Sequence, residues 1–130
     1  ELVRRAGRVL HLAVHSFTPV LDGVVRHADL ALLYDPRRRR EHALCSTWAD
    51  ALARELPHLA VRRNQPYRGV SDGLATWLRS RFPPEAYMGI EIEVNQRLLT
   101  GGGRFPREVA AALVDGLPGA LGAASLSGGR

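Results

Sequence analysis

The side chains with most chemistry to offer are His15, which closes the apolar run HLAVHSF, and the two carboxylates of GIEIEVNQ, Glu91 and Glu93. Neutral imidazole is the commonest protein ligand for zinc, and a histidine ending a buried strand can present a ring nitrogen to a cleft. His11 lies four residues earlier on the same strand face. At about 3.3 Å per residue the two are roughly 13 Å apart, too far to share one ion. His27, His42 and His58 show no ligand spacing, and neither HExxH nor a paired CxxC occurs. His15 is therefore either one ligand of a metal or a hydrogen-bonded structural histidine. Glu91 and Glu93 share one face of a strand whose other face, Ile90, Ile92 and Val94, is apolar. Burying unpaired charge is costly, so one explanation is an edge strand facing water. The other is that one glutamate reaches a cleft and acts as a general base on water, helped by a metal that lowers that water's pKa towards ~7.

A basic turn, RRNQPYRG, adds Arg62, Arg63 and Arg68 around Pro66-Tyr67. Guanidinium groups hold carboxylates through two parallel hydrogen bonds, so this turn is either a substrate clamp or a solvated basic loop. Asp22, Gly23, Arg26 and Asp35 follow closely behind His15. The run Arg37 to Arg40 falls at a helix start, where cations are mildly unfavourable, and reads as solvated.

These groups need elements to carry them. Arg8 to Ser16 and Asp29 to Asp35 read as strands buried on both faces. From about Arg38 to Leu56 apolar residues recur at helical spacing, and Pro57 ends the helix. Leu59 to Asn64 is a third strand. Ser71-Asp72 reads as the cap of a helix with Leu74, Trp77 and Leu78 on one face. Met88 to Gln96 alternates as a fourth strand, and a further helix begins near Phe105-Pro106. Strands alternating with helices predict an α/β layer fold with a largely parallel sheet. Residues 1–117 are then one portion of a domain, and the Gly/Ala/Ser-rich residues 118–130 a flexible tail. Open α/β sheets place ligands at strand carboxyl ends, where His15-Ser16, Asp35 and Arg63-Asn64 are all expected.

The 130 residues are enough for one domain with a core, and 45% apolar content argues against wholesale disorder. No apolar run approaches the roughly 20 residues of a membrane span, and the opening residues lack a signal-peptide core. The single cysteine, Cys45, allows no internal disulfide, so a cytoplasmic setting is the default. The net charge is +5, and all 18 basic residues are arginine, which looks more like codon bias than a binding device. Anionic partners are permitted, but no aromatic interleaving or zinc finger supports nucleic acid. The chain opens on glutamate rather than methionine, and its four strands form a thin sheet; both suggest that part of the domain lies upstream.

In order and spacing, HLAVHSFTP, GVVRHADLALLYD, RRNQPYRGVSDG and GIEIEVNQRL resemble the C-terminal half of the N-formylglutamate amidohydrolase family. The resemblance covers roughly Val9 to Leu99. It implies a three-layer α/β/α fold with a mostly parallel or mixed sheet, similar to zinc carboxypeptidases and incomplete here. It implies a zinc-dependent amidohydrolase acting on an N-formyl or N-acyl amide of an amino acid such as N-formylglutamate, a small carboxylate-bearing substrate. His15 matches a zinc ligand and Glu93 the catalytic glutamate. Asn64 and Arg68 fall near the substrate pocket, and Arg26 in the segment after the ligand histidine. Arg68, with Arg26 or Arg63 as alternates, would hold the substrate carboxylate. The family's first two zinc ligands belong to a motif of the type CEH, which this sequence lacks. Two other readings stay open: a truncated, inactive fold binding a small anion or partner, and a basic nucleic-acid-binding module.

Overall fold

The computed structural model describes residues 1–71 and 73–127; Asp72, half of the expected cap, lies outside them. The elements are α1 (Leu2–Ala6), β1 (Val9–Phe17), β2 (Val20–Leu21), β3 (Val24–Val25), β4 (Leu30–Leu33), α2 (Arg39–Glu55), β5 (Val61–Arg63), α3 (Leu74–Arg81), β6 (Tyr87–Asn95), a short 3-10 turn (Gln96–Leu98) and α4 (Arg107–Ser127). The expected strands and helices are thus present, and the fold is α/β. The hairpin β2–β3 turns on Asp22 and Gly23, both at positive φ (52° and 78°), the pairing of backbone twist that two-residue hairpins favour.

The four-stranded sheet runs β1-β6-β4-β5. β1 and β6 are parallel, β4 and β5 are parallel, and β4 lies antiparallel to β6. The sheet is therefore mixed rather than largely parallel. The β4–α2–β5 unit makes the parallel crossover that helices impose. The hairpin between β1 and β4, by contrast, lets the chain reverse. One consequence corrects the sequence reading of the strand ends. His15-Ser16 sits at the carboxyl end of the β1/β6 pair. Asp35 and Arg63-Asn64 follow the carboxyl ends of β4 and β5, which point the other way; Asp35 lies towards the opposite end of the sheet, while the short β5 leaves Arg63 level with Ile92 and Val14, at the far edge from β1.

Alternation on β6 builds both faces. Ile90, Ile92 and Val94 join Leu30 and Leu32 of β4 in a core closed by Leu44, Trp48 and Leu52 of α2 and by Val109 and Ala112 of α4. The Trp48 indole donates to the Leu113 carbonyl at 3.0 Å, tying α2 to α4. Residues 118–127, expected as a tail, continue α4, with Ala120 and Ala124 buried. The small side chains of Ala120 and Ala124, in a stretch that read as low complexity, are what close helix packing needs. At Gly116 an added Cβ would already press to 3.0 Å from Trp48. No described helix is long and apolar enough to cross a membrane.

A second scaffold crosses the other end of the sheet. Glu41, fully buried at the start of α2, accepts hydrogen bonds from the Asp35 and Gly89 amides at 2.9 and 3.1 Å. It pairs with Arg79 of α3 at 3.0 Å, and Arg79 in turn donates to the carbonyls of Gly69 and Gly89. This pair turns α3 over: Ala75 and Arg79 face inward, while Leu74 and Trp77 are 61% and 52% exposed. The N-cap of α3 is Gly73, with no side-chain cap. The arginine run is not simply solvated either. Arg38 donates to the carbonyls of Arg79, Phe82 and Tyr87, and Arg37 pairs with Asp35.

Candidate functional site

The sheet face opposite the main core holds the reactive groups. β6 lies between β1 and β4, so Glu91 and Glu93 stand on an interior strand and the edge-strand explanation fails. Parallel pairing sets His15 directly opposite Glu93, and neighbours in register point to the same face. On that face Ala13 lies opposite Glu91, and Ala31 of β4 opposite Glu93. These two small side chains leave the floor around the carboxylates low.

Glu93 is 5% exposed, and its Oε2 is buried without a hydrogen-bond partner. Burial raises its pKa above the ordinary glutamate value, and the nearby Glu91 charge adds to the rise. His15 and Arg26 oppose both without overcoming them. An unpaired buried carboxylate oxygen costs stability and usually marks a function. The His15 imidazole is half exposed, with its Nε2 3.7 Å from Glu91 Oε2, an electrostatic contact too long for a hydrogen bond. The resemblance matched Glu93; the structure adds Glu91 as the carboxylate nearest His15.

Arg26 is brought to this face by main-chain ties. Asn95, fully buried at the end of β6, donates to the carbonyls of Arg26 and Ala28 at 3.3 and 3.0 Å. The Arg26 amide donates to the Pro19 carbonyl at 2.8 Å. The guanidinium then lies 4.9 Å from the Tyr67 ring and 5.7 Å from that of Phe17 and donates to the Tyr67 hydroxyl at 2.9 Å. Stacking, with hydrogen bonds from one terminal nitrogen to the Tyr67 hydroxyl and, at 3.4 Å, to the Thr18 carbonyl, fixes the group while leaving it further donors. Asn95 and Tyr67 were not singled out from sequence. The fixed spacing of Glu93 and Asn95 on one strand face was the available signal for the first.

The remaining expected residues lie elsewhere. Arg63 points to the opposite face of the sheet, where it donates to the Tyr34 hydroxyl and to Ser46 of α2 at 3.1 and 2.7 Å. Register alternation on β5 puts it there, opposite Leu32, which removes it as an alternate carboxylate holder beside His15. Asn64, at positive φ, accepts from the Tyr34 and Gly69 amides at 3.1 and 2.9 Å, and so shapes its turn. Arg68 lines a cavity of about 360 Å³ with Asp35, Arg37 and Asn64, separate from His15 and Glu93. His11 is engaged by the Tyr87 hydroxyl at 2.8 Å, whose pKa burial pushes up to about 12. Cys45 is buried in the core.

For a metal, this face offers the half-exposed His15 imidazole, the Glu91 carboxylate 3.7 Å from it and the unpartnered Glu93 Oε2 in register with it. Among the described residues no group of three or more His, Cys, Asp or Glu could enclose an ion. The donors present fit one corner of a site, not a whole one.

The family model described as N-formylglutamate amidohydrolase matches residues 1–100. Among solved structures, the gene product Atu2144 from Agrobacterium tumefaciens is similar over 92% of this chain and 45% of its own, with 30% identity and a TM-score of 0.60. An N-formylglutamate amidohydrolase from Ralstonia eutropha is similar over 96% of this chain and 46% of its own, with 24% identity and a TM-score of 0.49. The chain therefore spans less than half the length of either relative. No curated protein matches it.

Proposed function

This chain belongs to the N-formylglutamate amidohydrolase family, and from that premise we propose that it carries the general-base portion of a zinc-dependent site hydrolysing an N-formyl or N-acyl amide of an amino acid such as N-formylglutamate. The observation that carries this reading is the orphaned Glu93 Oε2, buried in register with His15 on an interior strand. Such an oxygen needs a donor, and a water or cation in front of it would supply what the fold withholds.

Glu93 is the base. Its pKa, raised by burial, suits a group that must take a proton and give it back. It removes a proton from water as the oxygen attacks the formyl carbon. It then returns that proton to the amide nitrogen as the C–N bond breaks, releasing formate and the free amino acid. His15, with its imidazole half exposed, would be one metal ligand. Zinc, when bound, polarises an amide carbonyl and eases deprotonation of water. Arg26, stacked on Tyr67 with donors to spare, holds the substrate carboxylate. It takes this role ahead of Arg68, which lines a cavity with Asp35, Arg37 and Asn64, and Asn64 supports the loop that carries Tyr67.

The test is formate release from N-formyl-L-glutamate by the zinc-loaded protein. Hydrolysis that is abolished by a chelator and by Glu93→Gln would support the assignment. Hydrolysis that survives Glu93→Gln or a chelator would overturn it.

A further inference from the structure

β5 is the sheet edge away from His15, and it pairs on one side only, with β4. α2 packs beside this strand without closing over its outer edge. Ala49 and Ala53 of the helix and Val61 of the strand line a groove of about 510 Å³ between the two elements. The Asn64 amide is spent on the Leu32 carbonyl, so alternation directs the main-chain groups of Val61 and Arg63 outward, away from β4. About 10 Å of strand edge therefore faces outward beside the groove.

The same groove is basic. Arg62 and Arg63 of the strand and His42 of the helix are exposed along it, against one carboxylate, Asp50, among the described lining residues. One terminal nitrogen of Arg63 donates to both the Tyr34 hydroxyl and Ser46. These bonds hold the guanidinium in place and leave its other nitrogens to grip an anion. Arg62, on the other face by alternation, donates to the Val61 carbonyl at 3.2 Å. A further hollow of about 480 Å³ continues past Pro36 and His42 to Arg39. An edge strand guarded by arginines repels basic strands and complements an acidic one.

We propose that the β5 edge and this groove bind an acidic polypeptide segment in extended conformation, as an added strand. Its main chain bonds to Val61 and Arg63, with Arg62 swinging off the Val61 carbonyl to make room. Successive carboxylates of an extended chain point to opposite faces, so one meets Arg63 on the α2 side and the next meets Arg62 on the other. A second copy of this chain is a poor occupant, because it carries a net charge of +5. Nucleic acid is a poor one too. Tyr34, the aromatic residue among the described lining residues, is 3% exposed and offers bases no face to stack on.

The test titrates the protein into a labelled peptide, a run of glutamates flanked by threonines, at low ionic strength. It reads fluorescence anisotropy and main-chain hydrogen exchange. Binding should saturate and should weaken as salt is added. The Val61 and Arg63 amides should gain about tenfold or more protection, while β1 amides do not change. Arg62→Glu should weaken binding about tenfold or more with unchanged circular dichroism. Arg5→Glu, the same charge change at an exposed position of α1, should weaken it less than about twofold. Absence of saturable binding would overturn the proposal, as would equal losses in the two variants, equal binding of a lysine version of the peptide, or unchanged exchange at Val61 and Arg63. Tighter binding of a single-stranded oligonucleotide that protects the same amides would overturn it by assigning the edge to nucleic acid. None of these readouts depends on hydrolysis, so an inactive site leaves this inference standing.

Discussion

Glu93 is held where an ionised carboxylate is uncomfortable. Its raised pKa means that the folded state favours the protonated form. The group's contribution to stability is therefore fully present below the unfolded glutamate pKa, about 4.3, and is lost as pH rises through the higher folded value. At neutral pH the ionised side chain is a cost. Glu93→Gln should then raise stability at pH 7 by roughly 0.5–2 kcal/mol while lowering the rate of hydrolysis by about 10²–10⁴. Urea denaturation at pH 7 and pH 4 checks the first half, and the gain should shrink at the lower pH. A variant less stable than the parent at pH 7 would show that Glu93 is a satisfied structural group. Arg26 makes a separate prediction. Arg26→Ala should raise KM for carboxylate-bearing substrates about tenfold or more, with a smaller change in kcat. Steady-state kinetics with an N-formyl amino acid and its uncharged amide separate a carboxylate contact from general damage, because only the former discriminates between them.

Among the elements, the loop after β5 is the most tightly specified. Asn64 occupies the left-handed region at φ 55°, and its side-chain oxygen ties Tyr34 to Gly69. A Cβ added at Gly69 would fall inside the van der Waals envelope of the Tyr34 main chain, where nothing flexible can give way. Gly69→Ala should therefore cost more than about 2 kcal/mol, measured by chemical denaturation. A neutral outcome would mean that the loop stands off β4. The turn itself was legible in NQPYRG, since Asn, Pro and Gly carry turn conformations locally. Its attachment to β4 was not, because Tyr34 lies 30 residues away in sequence. The same limit applies to α3: its apolar spacing was read correctly, but the Arg79–Glu41 pair, spanning 38 residues, decides which face goes inward.

At the scale of the whole molecule, the Glu41–Arg79 pair joins α2, α3, β6 and the loop at Gly69 through one buried network. Both side chains are almost completely withdrawn from solvent (0% and 6% exposed). Removing one partner leaves the other charged and unpaired, so Glu41→Ala should destabilise the fold by about 3–5 kcal/mol. Thermal denaturation reads this directly, and a loss below about 1 kcal/mol would show that Arg79 finds other acceptors or water. Nothing in REHALCSTW distinguishes Glu41 from an exposed helical glutamate. A charge is recognised as buried only once its counter-charge and the surrounding packing are in place.

By itself, the sequence determined what is local. Alternation on β6 separates Ile90, Ile92 and Val94 from Glu91, Glu93 and Asn95, because a strand's side chains change face at every residue. Helical spacing located α2, and four ordered motifs pointed to the family. Tertiary structure alone decided the direction of β4 against β6, which sent Asp35 towards the far end of the sheet from His15. It also turned Arg63 to the opposite face, made residues 118–127 a helix that buries Ala120 and Ala124, and placed Arg26 on Tyr67. These outcomes depend on partners tens of residues away, brought together by register and burial, and no short window of sequence contains both members of such a pair.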